Sequence, residues 1–134
     1  MATISKEARL DALVERMHSF VNQKTRSTYK FAELVQRKSI KDAADVMRAF
    51  KRRTGIVPID ASPTYRGGIQ LDYPIEQLRP EIESYKQMGL EIEILGDRTV
   101  SLCLPDWTEL DGIDIKEFLK NMRDYIGKYA SRRT

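Results

Sequence analysis

The apolar periodicity of the chain changes at Gly55, and that change restricts the fold more than any other feature. Before it, apolar residues recur at three- and four-residue steps: Leu10, Leu13, Val14, Met17, Phe20 and Val21, then Ile40, Ala43, Val46, Met47 and Phe50. Such spacing gathers them into one stripe on a helix. After it, alternation takes over. Ile69, Leu71 and Tyr73 alternate with Gln70 and Asp72, Ile92 and Ile94 with Glu91 and Glu93, and Val100, Leu102 and Leu104 with Thr99, Ser101 and Cys103. A period of two marks strands with one buried face. Helices gathered before strands predict an α+β class.

Local signals set the expected boundaries. Ser5 is a candidate N-cap for a helix reaching Gln23, and the polar run Lys24–Thr28 reads as a loop. Thr28 then caps a short helix, Tyr29 to Gln36, ended by the basic pair Arg37-Lys38. Ser39 and Asp42 have the spacing of a capping box, opening a helix from Ile40 to Thr54 that Gly55 terminates in a left-handed conformation. Ile56–Ile59, interrupted by Pro58, suits an edge strand, and Ala61–Gly68 a loop with Tyr65 and Arg66 near its tip. A helix is expected from Pro80 to Met88. Gly96-Asp97 signals a hairpin between Leu90–Leu95 and Arg98–Leu104, followed by an acidic loop, Pro105 to Gly112, around Trp107. Asp114 opens a last amphipathic helix built on Ile115, Phe118, Leu119, Met122, Tyr125, Ile126 and Tyr129.

These elements predict one compact domain over residues 1–134, with a basic helical subregion, 1–66, and an acidic hairpin-plus-helix subregion, 67–134. A short helix, a tight break, a longer basic helix and a strand–loop–strand carrying an arginine follow the order of a helix-turn-helix or winged-helix arrangement. That order places a helical N-terminal half against a small antiparallel hairpin region and a C-terminal amphipathic helix.

Most catalytic and cofactor chemistry has no residues to support it here. No uninterrupted apolar run approaches the roughly 18 residues of a spanning helix, and the first residues lack the apolar core of a secretory signal. With one cysteine in the chain, no internal disulfide can form, and a cytoplasmic setting is expected. Gly67-Gly68 is a turn rather than a phosphate loop, since no Lys-Ser/Thr follows it. Cys103 and His18 are the chain's single members of their types and nothing in the spacing brings them together. Around Gly112, residues Glu109, Asp111, Asp114 and Glu117 fall at four positions of a calcium loop, but Trp107 stands at the first, where an oxygen is needed. No metal, cofactor or small-molecule substrate is expected, and no enzymatic activity.

Charge is more informative, by segment rather than in total. The chain carries 23 basic and 20 acidic side chains, for a net charge of +3. Residues 24–66 hold eleven basic and four acidic side chains, whereas residues 67–127 hold six basic and thirteen acidic. On the expected third helix, Lys41, Arg48 and Arg52 share an outward stripe with Asp45, and Lys51 and Arg53 flank it. Together with Arg37, Lys38 and Arg66 they form the candidate phosphate-contacting set of a small regulatory protein that binds nucleic acid, DNA in the first instance. Two other arrangements use the same asymmetry. In one, an acidic or basic half docks on a protein of opposite charge, as a modulator or inhibitor of a larger enzyme or as a homodimer. In the other, the two halves face and neutralise each other within the molecule.

Overall fold

A computed structural model describes residues 5–21, 35–74, 89–105 and 107–126. The helices expected over 29–36 and 80–88, and Tyr129, lie outside these residues, apart from Val35 and Gln36. The described elements are α1 (Lys6–Val21), α2 (Arg37–Thr54), β1 (Asp60–Pro63), β2 (Ile69–Tyr73), β3 (Leu90–Ile94), β4 (Thr99–Cys103), β5 (Glu109–Asp114), α3 (Ile115–Lys120) and α4 (Met122–Ile126). The five strands form one antiparallel sheet in the order β1-β2-β3-β4-β5, larger than the small hairpin region expected. The class is α+β, with two helices before the sheet and two short ones after it.

Register explains why the helices lie where they do. Leu71 pairs with Ile92, and Ile92 with Leu102, so the buried residues of successive strands form continuous rows on one face. Phe50 of α2 stacks on Tyr73 of β2 with ring centroids 4.0 Å apart, and Leu10, Met17 and Phe118 are fully buried in the same core. Burying side chains of this size stabilises by about 1.5–3 kcal/mol each. Tyr73 Oη and Ser39 Oγ are buried with no hydrogen-bond partner among the described residues. Burial pushes the Tyr73 hydroxyl far above its usual range, so it stays protonated.

The helix ends show which local signals survive packing. Ser5 caps α1, its hydroxyl accepting from the Ala8 amide at 3.1 Å. At Gly55 α2 closes as the sequence predicts, with φ +76° and the Gly55 amide donating to the Lys51 carbonyl at 2.7 Å. The expected start of α2 does not hold. Arg37 and Lys38, both good helix formers, make its first turn instead of a break, so Gln36 becomes the N-cap and Ser39 falls inside the helix, buried. Asp42 does not fold back to cap the helix. It accepts from Arg98 Nη2 at 3.2 Å and Nε at 3.3 Å, tying α2 to the β3–β4 hairpin.

Arg98 makes that pair from an unfavourable backbone conformation. The hairpin loop is Gly96-Asp97-Arg98, closed by the Leu95 amide donating to the Thr99 carbonyl, and Arg98 has φ +65°. A left-handed residue at the third loop position is normally glycine. The arginine there, its side chain 47% exposed, places its guanidinium over Asp42, whose side chain is 3% exposed.

Three further expectations are revised. The edge strand is Asp60–Pro63 rather than 56–59, because Pro58 has no amide to donate and the pairing begins with Ile59 N–H to Asp72 C=O at 2.8 Å. The loop ends in Gly68, whose backbone passes so close to the Ile94 carbonyl that a Cβ would lie 2.5 Å from it. The acidic loop after Pro105 becomes strand β5 from Glu109, and Gly112, at φ +68°, absorbs a bulge where Asp111 and Gly112 together oppose Ser101. Asp114 does cap the last helical segment, accepting from the Lys116 and Glu117 amides, but Asn121 breaks that segment into α3 and α4. Its side-chain amide donates to Glu117, a local alternative to continuing the helix.

Arg98→Ala is expected to destabilise the fold by about 3 kcal/mol, since it strands the Asp42 carboxylate. Arg98→Gly should cost about 1 kcal/mol less than that because it removes the left-handed penalty, and Lys41→Ala, at an exposed pair, under 1 kcal/mol. Urea unfolding of the three variants measures this order. Tyr73→Phe removes an unsatisfied hydroxyl and should be neutral or stabilising by about 1 kcal/mol in the same assay.

Candidate nucleic-acid interface

Helix α2 supplies the cations. At 100° per residue, Arg37, Lys41, Arg48 and Arg52 fall within about 40° of one line along its outer surface. All four are exposed, as is Lys38 beside them, while Lys51 and Arg53 are half-buried. Opposing them, Asp42 is turned inward to Arg98, Asp45 holds Lys41 at 3.1 Å, and Glu7 of α1 holds Lys51. The Glu7 carboxyl is held below its usual range, chiefly by the Lys51 hydrogen bond and also by Arg48 nearby. Among the described residues, Arg37, Lys38, Arg48, Arg52 and Arg53 make no ion pair.

Part of this charge has a use within the fold. Lys51, Arg52 and Arg53 occupy the last turn of α2, where cations offset the partial negative charge of the free carbonyls. Lys6 donates to the Gly55 carbonyl at the same end. The macrodipole effect fades within a turn, so it accounts for neither Arg48 nor the Arg37–Lys41 end.

Arg66 is placed apart from this group. It sits after β1, on the side of the sheet away from α2, and donates to Glu93 at 2.6 Å with Asp111 at 3.9 Å. The Glu93 bond holds the guanidinium even more firmly protonated than usual. The candidate set from the sequence is thereby divided: seven residues on α2, one on the opposite face.

That opposite face is acidic for a reason of register. Antiparallel pairing aligns Asp60 with Asp72, Asp72 with Glu91, Glu91 with Cys103 and Cys103 with Glu109. The neighbouring row runs Ser62, Gln70, Glu93 and Ser101, and the Ser101 hydroxyl donates to Asp111. Like charges directly across a strand pair repel. Desolvation first, then the field of Asp60, raises the Asp72 carboxyl above its usual range, against a hydrogen bond from Gln70; desolvation and Asp72 raise Glu91. Alternation already put Glu91 and Glu93 on one face. What the sequence lacked was the pairing of β2 with β3, which brings Asp72 opposite Glu91.

The residues resembling a calcium loop are dispersed. Glu109 belongs to the acidic row, Asp111 takes the Ser101 bond, Asp114 caps α3, and Glu117 accepts from Asn121. Among the described residues no group of three or more His, Cys, Asp or Glu is arranged to hold a metal, and no helix is long and apolar enough to cross a membrane. His18 lies exposed on α1. Compared with family models, curated proteins and solved structures, the chain matches none.

The raised carboxyls fix the sign of a pH effect. The folded chain holds protons on Asp72 and Glu91 more tightly than the unfolded chain, so their contribution to stability falls as pH rises through their folded titration range. Asp72→Asn keeps the acceptor for Gln70 and removes the repulsion. It should stabilise by about 0.5 kcal/mol at pH 7 and by nothing near pH 3, measured by thermal unfolding across that range.

Proposed function

We propose that the outer face of α2 binds the phosphate backbone of a nucleic acid, duplex DNA in the first instance, and that the chain acts as a small cytoplasmic regulatory binding protein with no reaction of its own. The observation that carries this reading is the row of exposed cations, Arg37, Lys38, Lys41, Arg48 and Arg52, faced by a single carboxylate partner, Asp45, among the described residues. Docking would follow the helix-turn-helix and winged-helix manner, with α2 as the groove-facing helix. Arg48 and Arg52 are the principal contacts in this reading, because the Asp45 charge dilutes the field near Lys41. Arg53 and Lys51 flank them. Arg66, held by Glu93, adds nothing to this surface.

Phosphate contacts release counterions, so affinity should fall steeply with salt. Five such contacts give a slope of log K against log salt of about −4.5 for duplex DNA. Replacing Arg48 and Arg52 together by Ala should weaken binding and reduce that slope by about 2 while leaving the thermal midpoint nearly unchanged, since both are exposed. Fluorescence anisotropy with labelled duplex DNA, single strands and RNA over a salt series reads both quantities. Absence of binding to all three at low salt ends the proposal.

A further inference from the structure

We propose that copies of this chain associate head to tail, with the outer face of α2 of one molecule seated on the acidic face of the sheet of the next. The two faces lie on opposite sides of the same fold. Alternation turns Leu71 and Ile92 toward α2 and sends Asp72, Glu91, Glu93 and Glu109 the other way, where no described helix packs and Arg66 of the β1–β2 loop lies over Glu93, leaving that side chain 16% exposed. Among the described residues each face is short of counter-charge. Arg48 and Arg52 have no carboxylate partner among the described residues, and Arg66 is the cation that the described residues set against Glu93 and Asp111.

Size and chemistry fit as well as sign. The 18 residues of α2 span about 27 Å at 1.5 Å each. Five strands about 4.8 Å apart make a sheet roughly 24 Å across. One helix therefore reaches across all five strands, with its arginines over rows of carboxylates. A second copy is the occupant that the molecule itself specifies, because both complementary surfaces are present on every chain in equal number.

The contact joins two different patches, so it is heterologous and propagates into a ring or an open chain rather than stopping at a symmetric pair. Its area is modest. A sheet patch of this width and about five residues' height covers roughly 400 Å², half of what one partner contributes to a standard stable interface. Association should be weak, rapid and strongly dependent on salt. It does not require that the chain bind nucleic acid; where it does, the two ligands compete for α2.

Sedimentation velocity at high protein concentration provides the test. The wild-type mass should grow with concentration at about 0.02 M salt and return to the monomer at about 0.5 M, where charges are screened within a few ångströms. Arg48→Ala with Arg52→Ala removes one face, and Glu91→Gln with Glu109→Gln removes the other. Each double variant, with its fold checked by circular dichroism, should be monomeric alone. Mixed, they should form a one-to-one pair that grows no further, because each retains one intact face. A wild type that stays monomeric at low salt overturns the proposal, as does growth that persists in either double variant. The glutamine variant should also keep full affinity for labelled duplex DNA. Failure of the wild type to bind nucleic acid overturns the preceding reading alone and leaves this association standing.

Discussion

The two-residue alternation of an antiparallel sheet, kept in register across five strands, is the constraint on which the rest of this molecule depends. It sends Leu71, Ile92 and Leu102 to one side, where α1, α2 and α3 bury them, and it sends Asp72, Glu91 and Glu109 to the other. A slip of one residue in any pairing would exchange those sets, placing carboxylates in the core. The cost of that exchange, several kilocalories for each unpaired buried charge, makes the register far more secure than the modest hydrogen-bond energy of the ladder would.

The same constraint separates charge in space. Because the apolar side of the sheet is covered by α2, the cations that α2 keeps out of the core must lie on the far surface of the helical layer. The carboxylates are left on the side where no described helix packs. Among the described residues, neutralisation between the oppositely charged halves is realised at two places: Asp42 with Arg98, and Arg66 with Glu93 and Asp111. The Asp42–Arg98 pair spends a carboxylate that would otherwise have dimmed the positive face. In that respect a structural ion pair at the hairpin also shapes the binding surface.

Much of the fold could be read from local signals. The helical stripe through Phe50, the left-handed stop at Gly55, the Ser5 and Asp114 caps, and the hairpin between Ile94 and Thr99 rest on interactions within a few residues, and packing left them in place. The failures share a different character. Ser39 and Asp42 have the spacing of a cap, yet a long-range partner, Arg98, claimed the carboxylate. Strand β5 was hidden because Gly112 breaks the alternation, and only the neighbouring strand shows that the break is a bulge. Arg66 lay within a basic stretch of sequence but folds onto Glu93, 27 residues away.

Composition and periodicity by themselves settled the class, the apolar stripe of α2 and the side of that helix on which its cations sit, because each depends on angles repeated along a single element. Which carboxylates share a face, which cations keep their charge free and which face stands opposite which were decided by the tertiary structure. Those properties depend on the pairing of strands separated by many residues and on which helix covers which side of the sheet. Neither distance nor burial between remote segments is encoded in the spacing of neighbours.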